Sequence, residues 1–291
     1  MDILHKFHFI DAPVRGIWIR LHRVWKDACS NRDYPQPVLD LLGQMMAVTT
    51  MVANNVKEEP SIILQAVGSG PVKLAFAECR EHRLIRSIAR VDEENPELVY
   101  EKQGFRELVG DGQLALTMLL TNNSTYQGLV SLESNDLLIN LENYFKTSEQ
   151  LATRLKVESE GDVLTGCLLQ LLPPQNVDDE EVRELDQLRW NQISTAFKTV
   201  DGLTAHGRGV KEYLQKLYPN ETIYLDDAID LSFHCTCSKE RSENAMRTLS
   251  HAELESMFAE QELVTVSCEF CGETYEFDKF DVESLAPSNL N

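Results

Sequence analysis

The sequence predicts an α+β (mixed α/β) N-terminal domain, then a helical linker and a small C-terminal domain. Three observations carry that prediction. Strand-length apolar runs interleave with helical stripes up to about residue 175, a double proline and a burst of acid break the pattern there, and four of the seven cysteines fall in the last sixty residues. With 291 residues, about two domains at roughly 150 residues each, at least one part buries a full core without covalent staples.

Within 1–175, the α/β core domain, Tyr34-Pro35-Gln36-Pro37 opens a first helix, because proline tolerates the first turn. Val38, Leu41, Leu42, Met45, Met46, Thr49 and Val52 then recur at helical spacing. That stripe, methionines included, reads as core, although Met45, Met46 and Met51 also suit an adaptable binding surface. Ser61 to Val67 and Val72 to Ala77 read as strands about Gly68-Ser69-Gly70-Pro71, and Leu114 to Leu120 and Tyr126 to Leu132 repeat the pattern about a polar turn. A second helix spans Asp136 to about Thr147 on a stripe of Leu137, Leu138, Leu141, Tyr144 and Phe145, and Val163 to Leu172 closes the domain. Cys29, Cys79 and Cys167 stand singly among apolar residues and read as inert core thiols.

After Pro173-Pro174 the acids Asp178, Asp179, Glu180, Glu181, Glu184 and Asp186 suit the positive end of a helix dipole. Val182, Leu185, Leu188, Ile193, Phe197 and Val200 make that helix moderately amphipathic, and a shorter stripe follows at Val210, Tyr213, Leu214, Leu217 and Tyr218. Glycines at 202, 207 and 209 and the charge leave 176–231 a metastable helical linker whose apolar faces need a support.

A net charge of −20 repels nucleic acid and anionic lipid, so neither is an expected partner, and Arg80, Arg83, Arg86 and Arg90 are expected to pair with acids. No apolar run approaches the roughly 18 residues of a membrane span, and the first residues lack the pattern of a secretory signal, so a cytoplasmic chain is expected. No Gly-x-Ser-x-Gly, Walker or His-Glu-x-x-His motif occurs, and the glycine pairs at 68/70 and 110/112 lack the third glycine of a dinucleotide fingerprint. His251-Ala252-Glu253 before Cys268-x-x-Cys271 lacks the proline of a deaminase motif, since Ser267 stands there. The reading is that the chain is not an enzyme.

The chemistry lies in 232–291. Cys235-Thr236-Cys237 and Cys268-Glu269-Phe270-Cys271 are separated by the 30 residues 238–267, and two close thiolate pairs suit one tetrahedral zinc ion. Val264 and Val266 alternate into the second pair, Gly272 permits a tight turn, and Tyr275 and Phe277 alternate out; Ser250-His251-Ala252-Glu253 starts a helix with Leu254, Met257 and Phe258. So thin a core depends on its metal. A purely structural zinc ribbon, acting as a constitutive interaction module, is one reading. The one-residue spacer of Cys235 and Cys237 favours another. Their Cα atoms, about 6.6–7.2 Å apart in extended chain, reach a bridge only by bending, so a disulfide there is strained and easily reduced. A site that holds zinc when reduced and closes short-range disulfides when oxidised is a reversible switch. Lys239 and Arg241 are placed to steady the thiolates or simply to face solvent.

This cysteine pattern resembles that of the heat-shock protein 33 family of redox-regulated bacterial holdase chaperones. The likeness extends along the chain through Val14-Arg15-Gly16, Asp33-Tyr34-Pro35-Gln36-Pro37, Gly68-Ser69-Gly70-Pro71, Tyr126-Gln127-Gly128, the run from Tyr144 to Leu151, Leu168-Leu169-Gln170 and Phe233-His234-Cys235-Thr236-Cys237-Ser238. The linker offers no matching motif. The resemblance implies an ATP-independent chaperone, inactive while reduced with one Zn²⁺ per chain on Cys235, Cys237, Cys268 and Cys271, which makes 232–291 a zinc-binding redox-switch domain. It further implies that oxidants convert these cysteines to a disulfide within each pair and release zinc. The small domain and linker then unfold, the protein forms a homodimer, binds unfolding client proteins, and later passes them to an ATP-dependent foldase system.

Overall fold

The computed structural model describes residues 1–102, 104–122, 124–173, 179–199, 209–250, 253, 256–257, 263–278 and 280–281. The chain divides into two compact units, Met1–Phe233 and His234–Asn291. In chain order the first unit carries β1 (Ile3–Phe9), β2 (Val14–Leu21), α1 (Arg23–Cys29), α2 (Gln36–Ala53), β3 (Ser61–Gly68), β4 (Val72–Arg80) and β5 (Leu84–Val91). A 3₁₀ turn at Pro96–Glu101 leads to α3 (Phe105–Val109), β6 (Gly112–Leu119), β7 (Thr125–Val130), α4 (Leu137–Thr147), β8 (Thr153–Glu160) and β9 (Val163–Leu171). Then come α5 (Glu180–Thr199), α6 (Val210–Leu217), β10 (Ile223–Leu225), β11 (Ile229–Asp230) and β12 (Ser232–Phe233). The second unit holds α7 (Lys239–Met246), β13 (Leu263–Ser267) and β14 (Thr274–Asp278).

Among the described residues the first unit has two sheets, ordered β10-β1-β2-β9-β8 with β11 also on β1, and β12-β5-β4-β3-β6-β7. Between them runs α2, with Pro37 in its first turn. It is buried nearly all round, Val38, Leu41, Leu42, Met45, Met46, Val48 and Met51 all being within a few per cent of full burial. Each such side chain contributes about 1.5–3 kcal/mol on leaving water. The three methionines are therefore core. Thr49 and Thr50, buried with them, donate their hydroxyls back to the carbonyls of Met45 and Met46 at 2.7 and 2.8 Å, so no polar atom is stranded. The other predicted helix is α4, capped by Asp136, whose carboxylate accepts from the amides of Leu138 and Ile139.

Strand alternation gives the first sheet two apolar faces. Leu4, Ile17, Ile19, Leu21 and Leu168 face α2, whereas Phe7, Phe9, Val14, Trp18, Cys167 and Leu169 face away. The second set is covered by Trp190, Ile193 and Phe197 of α5 and by Val210, Tyr213, Leu214 and Leu217 of α6, with Tyr218. Within 176–231, α5 and α6 thus supply a further layer of the first unit. The Tyr218 hydroxyl donates to the Ile193 carbonyl at 3.0 Å and ties the two helices together.

One expectation is corrected. Val182, Leu185 and Leu188 are not part of the covered stripe; they are 41%, 57% and 54% exposed. At 100° per residue Leu188 lies about 160° round the helix from Trp190, on its other side, whereas Val182 shares the direction of Ile193 and is nonetheless exposed. Val200, Gly202 and Gly207 lie outside the described residues.

The two glycine turns form one junction: the Gly70 amide donates to the Val109 carbonyl at 2.8 Å and the Ser69 amide to that of Asp111 at 3.1 Å. Gly110, at φ +69°, adopts the left-handed backbone this requires. Of the arginine cluster, Arg86 pairs with Glu78 at 2.5 Å and Arg80 approaches the same carboxylate at 4.0 Å. Cys79 and Cys167 are buried and Cys29 half-buried, and burial pushes all three thiols up, Cys29 to about 12. Among the described residues no helix is long and apolar enough to cross a membrane.

Gly16 lies directly under the Phe7 ring, which a Cβ would penetrate. Gly16→Ala is expected to destabilise the first unit by about 1–3 kcal/mol, read as a lowered urea midpoint, whereas an unchanged midpoint would show that Phe7 moves freely.

Candidate metal centre

The second pair of thiols sits on the turn of the β13–β14 hairpin, which is in register from Leu263 opposite Asp278 to Ser267 opposite Thr274. The Cys268 amide donates to the Glu273 carbonyl and the Gly272 amide to the Cys268 carbonyl, both at 2.8 Å. Gly272 takes φ +75°, the conformation its place in the tight turn requires. Val264 and Phe277 turn inward from the two strands and are buried, with Met246 of α7 against Phe277. The first pair lies on the segment before α7, and Ser238 caps that helix by accepting from the Arg241 amide at 3.2 Å. The capping box at Ser250 and Glu253 is closed in both directions, by Ser250 N–H to Glu253 at 2.7 Å and Glu253 N–H to Ser250 Oγ at 3.3 Å. Leu254 and Phe258 of the helix expected there lie outside the described residues.

Cys235, Cys237, Cys268 and Cys271 come together with all four Sγ atoms within 4.8 Å of one another, each residue half-buried. The shortest approaches cross between the pairs: Cys235 to Cys268 at 3.6 Å and Cys237 to Cys271 at 3.3 Å. Four sulfurs at about 2.3 Å from a central tetrahedral ion lie about 3.8 Å from each other, so the cluster has the dimensions of a tetrathiolate site. An all-thiolate donor set suits zinc or an iron–sulfur centre rather than a hard cation.

The thiols are not equivalent. Burial raises the pKa of Cys235, and burial likewise holds that of Cys271 far above the usual thiol range. For Cys237 burial acts upward as well, but hydrogen bonds from the Tyr275 hydroxyl and the neighbouring thiols outweigh it and bring the pKa below the ordinary value. The Tyr275 hydroxyl donates to Cys237 Sγ at 3.2 Å, and that bond to a thiolate is the main reason its own pKa is raised. The Tyr275 hydroxyl thus favours a thiolate at Cys237, and a bound cation would replace the remaining thiol protons. Reading the sequence finds all four cysteines but misses Tyr275 as a donor, having taken it only as an alternating strand residue. Its position four residues after Cys271 on the outgoing strand is the signal. Lys239 reaches Asp281 at 3.2 Å and the Phe277 ring at 5.2 Å, and Arg241 reaches the Thr236 hydroxyl, so both cations serve local packing.

A family model described as Hsp33 protein matches residues 2–278. The 33 kDa chaperonin of Shewanella loihica is 34% identical over 284 residues, 98% of this chain and 95% of that protein. That of Pseudomonas paraeruginosa is 36% identical over 285 residues, 98% and 94% of the two chains. The crystal structure of the Thermotoga maritima 33 kDa chaperonin, a heat shock protein 33 homologue, shares the fold with a TM-score of 0.79 at 20% identity, covering 97% of each chain.

Protein purified under reducing conditions is expected to carry one thiolate-bound ion per chain and to lose it in a Cys268→Ser, Cys271→Ser double variant; full metal retention by that variant would remove these residues from the site. Tyr275→Phe should retain the ion but bind it about tenfold more weakly in a chelator competition, as loss of an outer hydrogen bond to a ligand does.

Proposed function

The chain belongs to the Hsp33 family, and from that membership we propose that it is an ATP-independent holdase chaperone, silent while reduced and zinc-bound and activated by oxidation of Cys235, Cys237, Cys268 and Cys271. The observation that carries this reading is the convergence of four half-buried thiols within 4.8 Å in a unit with little else to hold it. Zinc, when bound, supplies a charge that keeps the thiolates deprotonated and about 10 kcal/mol or more of folding free energy. The buried core beside it consists of Met246, Val264 and Phe277 among the described residues, far too little apolar area to replace that contribution.

Oxidation joins Cys235 to Cys237 and Cys268 to Cys271, because the shortest loops cost the least closure entropy. Each bridge gives up two electrons from two thiolates, and a peroxide takes them, with two protons from solvent, in becoming two molecules of water. With no thiolates left the ion departs and the second unit unfolds. The layer formed by α5 and α6 is suited to yield next. Two buried polar atoms between it and the sheet have no partner, the Tyr213 hydroxyl of α6 and Trp18 Nε1 of β2, and half of α5 keeps its apolar residues in solvent. Detachment uncovers Phe7, Phe9, Trp18 and Leu169, an aromatic apolar face fit for unfolding clients, and the net charge of −20 keeps the loaded complex soluble. A homodimer forms in this state, and clients pass on to an ATP-dependent foldase system in a reducing cytoplasm.

Suppression of client aggregation is expected from oxidised, zinc-free protein and not from reduced, zinc-loaded protein. Equal activity in both states would favour a constitutive zinc-ribbon module instead. Peptide mapping after peroxide treatment should find the two bridges within the pairs, and mainly cross-pair bridges would refute the connectivity. Tyr213→Phe removes a buried hydroxyl without a partner and should stabilise the covering layer by about 1–3 kcal/mol. Hydrogen exchange in α5 and α6 of the oxidised variant should therefore be slower and activation should need a higher temperature. Faster exchange would mean that the hydroxyl supports the layer.

A further inference from the structure

Past the last turn of α2 the layers of the first unit do not meet, and a cavity of about 310 Å³ remains between the two sheets. That is the lower end of the size range of small-molecule pockets, roughly 300–1,000 Å³. Its walls are apolar: Val52 of α2, Ile62, Leu116 and Met118 of the second sheet, and Phe145 and Leu151 from α4 and the segment after it. Gly128 also lines it, and a Cβ there would strike the Tyr144 hydroxyl, so this wall depends on glycine.

The polar part is concentrated on Arg15 and Gln170, paired residues of β2 and β9. Gln170 Oε1 receives both Arg15 Nη2 and Asn55 Nδ2, each at 2.8 Å, while Gln170 Nε2 donates to Thr153 Oγ1 at 3.0 Å. One neutral carbonyl oxygen is thus shared by two donors, one of them a guanidinium. Arg15 Nε is buried with no partner, and no ion pair of Arg15 occurs among the described residues. Its charge also weighs on Lys6 of the neighbouring strand. The one carboxylate lining the cavity, Glu149, is exposed and accepts the Tyr144 hydroxyl at 2.8 Å. A half-buried cation supplied only with neutral acceptors, at the end of an apolar chamber, lacks an anion.

We propose that this cavity is a binding site for a small amphiphilic carboxylate, its apolar tail among Ile62, Leu116, Met118 and Phe145 and its carboxylate on Arg15. That chemistry occurs both in a medium-chain fatty acid and in the apolar C-terminal residue of a polypeptide.

Calorimetric titration of the reduced, metal-loaded full chain with octanoate is expected to show one saturable site per chain, with octanol, which lacks the charge, binding about tenfold or more weakly. A tripeptide ending in leucine, with a free or an amidated C-terminus, separates the two sources: binding by the free form alone assigns polypeptide ends to the site, and octanoate without either peptide assigns fatty acids. Arg15→Gln should lose about tenfold or more in affinity, and Leu116→Trp, which fills the chamber and leaves Arg15 in place, should abolish binding while the far-ultraviolet circular dichroism is kept. Absence of a saturable site for octanoate and both peptides, or unchanged octanoate affinity in folded Leu116→Trp protein, would overturn the assignment.

Discussion

A helix that is apolar round most of its circumference cannot lie on a surface, and α2 is such a helix. Its burial between two sheets is the constraint from which the rest of the first unit follows. Each sheet spends one face on α2 and has another left over. On the second sheet the outward residues include Glu78, whose buried carboxylate is paired with Arg86, and Gln65, which water solvates without cost. On the first sheet they are Phe7, Phe9, Trp18 and Leu169, which it does not. The helices after the double proline are held to the fold by that aromatic face, which they cover.

Stability is correspondingly uneven. The inner layer is large and interdigitated, and along α2 the buried Thr49 and Thr50 bond within their own helix. The covering layer has the apolar area to stay in place, but its Tyr213 hydroxyl is buried without a partner and the first half of α5 touches little. The second unit has the smallest apolar core and the densest cluster of metal-ligating groups. Such a gradient gives each level its own opening free energy and sets the order in which parts are released under stress.

The cysteine cluster and the cavity illustrate two ways in which a fold makes a site. In the second unit a hairpin turn and a helix start bring two short sequence pairs to one point, and Tyr275 then distinguishes one sulfur from the other three. In the first unit the site is what remains where α2 stops, walled by residues whose primary task is core packing and read by an arginine whose neighbours offer it no counter-charge.

Much of this was legible in the chain. The stripe of α2, the Asp136 cap of α4, the strand pairs about the Gly68 to Pro71 turn and about the polar turn after β6, the short stripe of α6 and all four thiols follow from local periodicity, capping chemistry and cysteine spacing. These are properties of neighbours in sequence. β5 and β8 escaped because Arg86 and Arg90, and the charged residues of β8, obscure an alternation visible only once the buried face is known. β1 and β2 escaped because strands packed on both faces show no simple alternation. Which face of α5 is covered was also beyond the sequence: Leu185 and Leu188 are as apolar as Ile193, and only the sheet beneath selects among them. The joining of two glycine turns 40 residues apart, the hydroxyl of Tyr275 on Cys237 and the uncompensated charge of Arg15 likewise arise only between elements distant in sequence, because each is a contact whose second partner the local pattern does not contain.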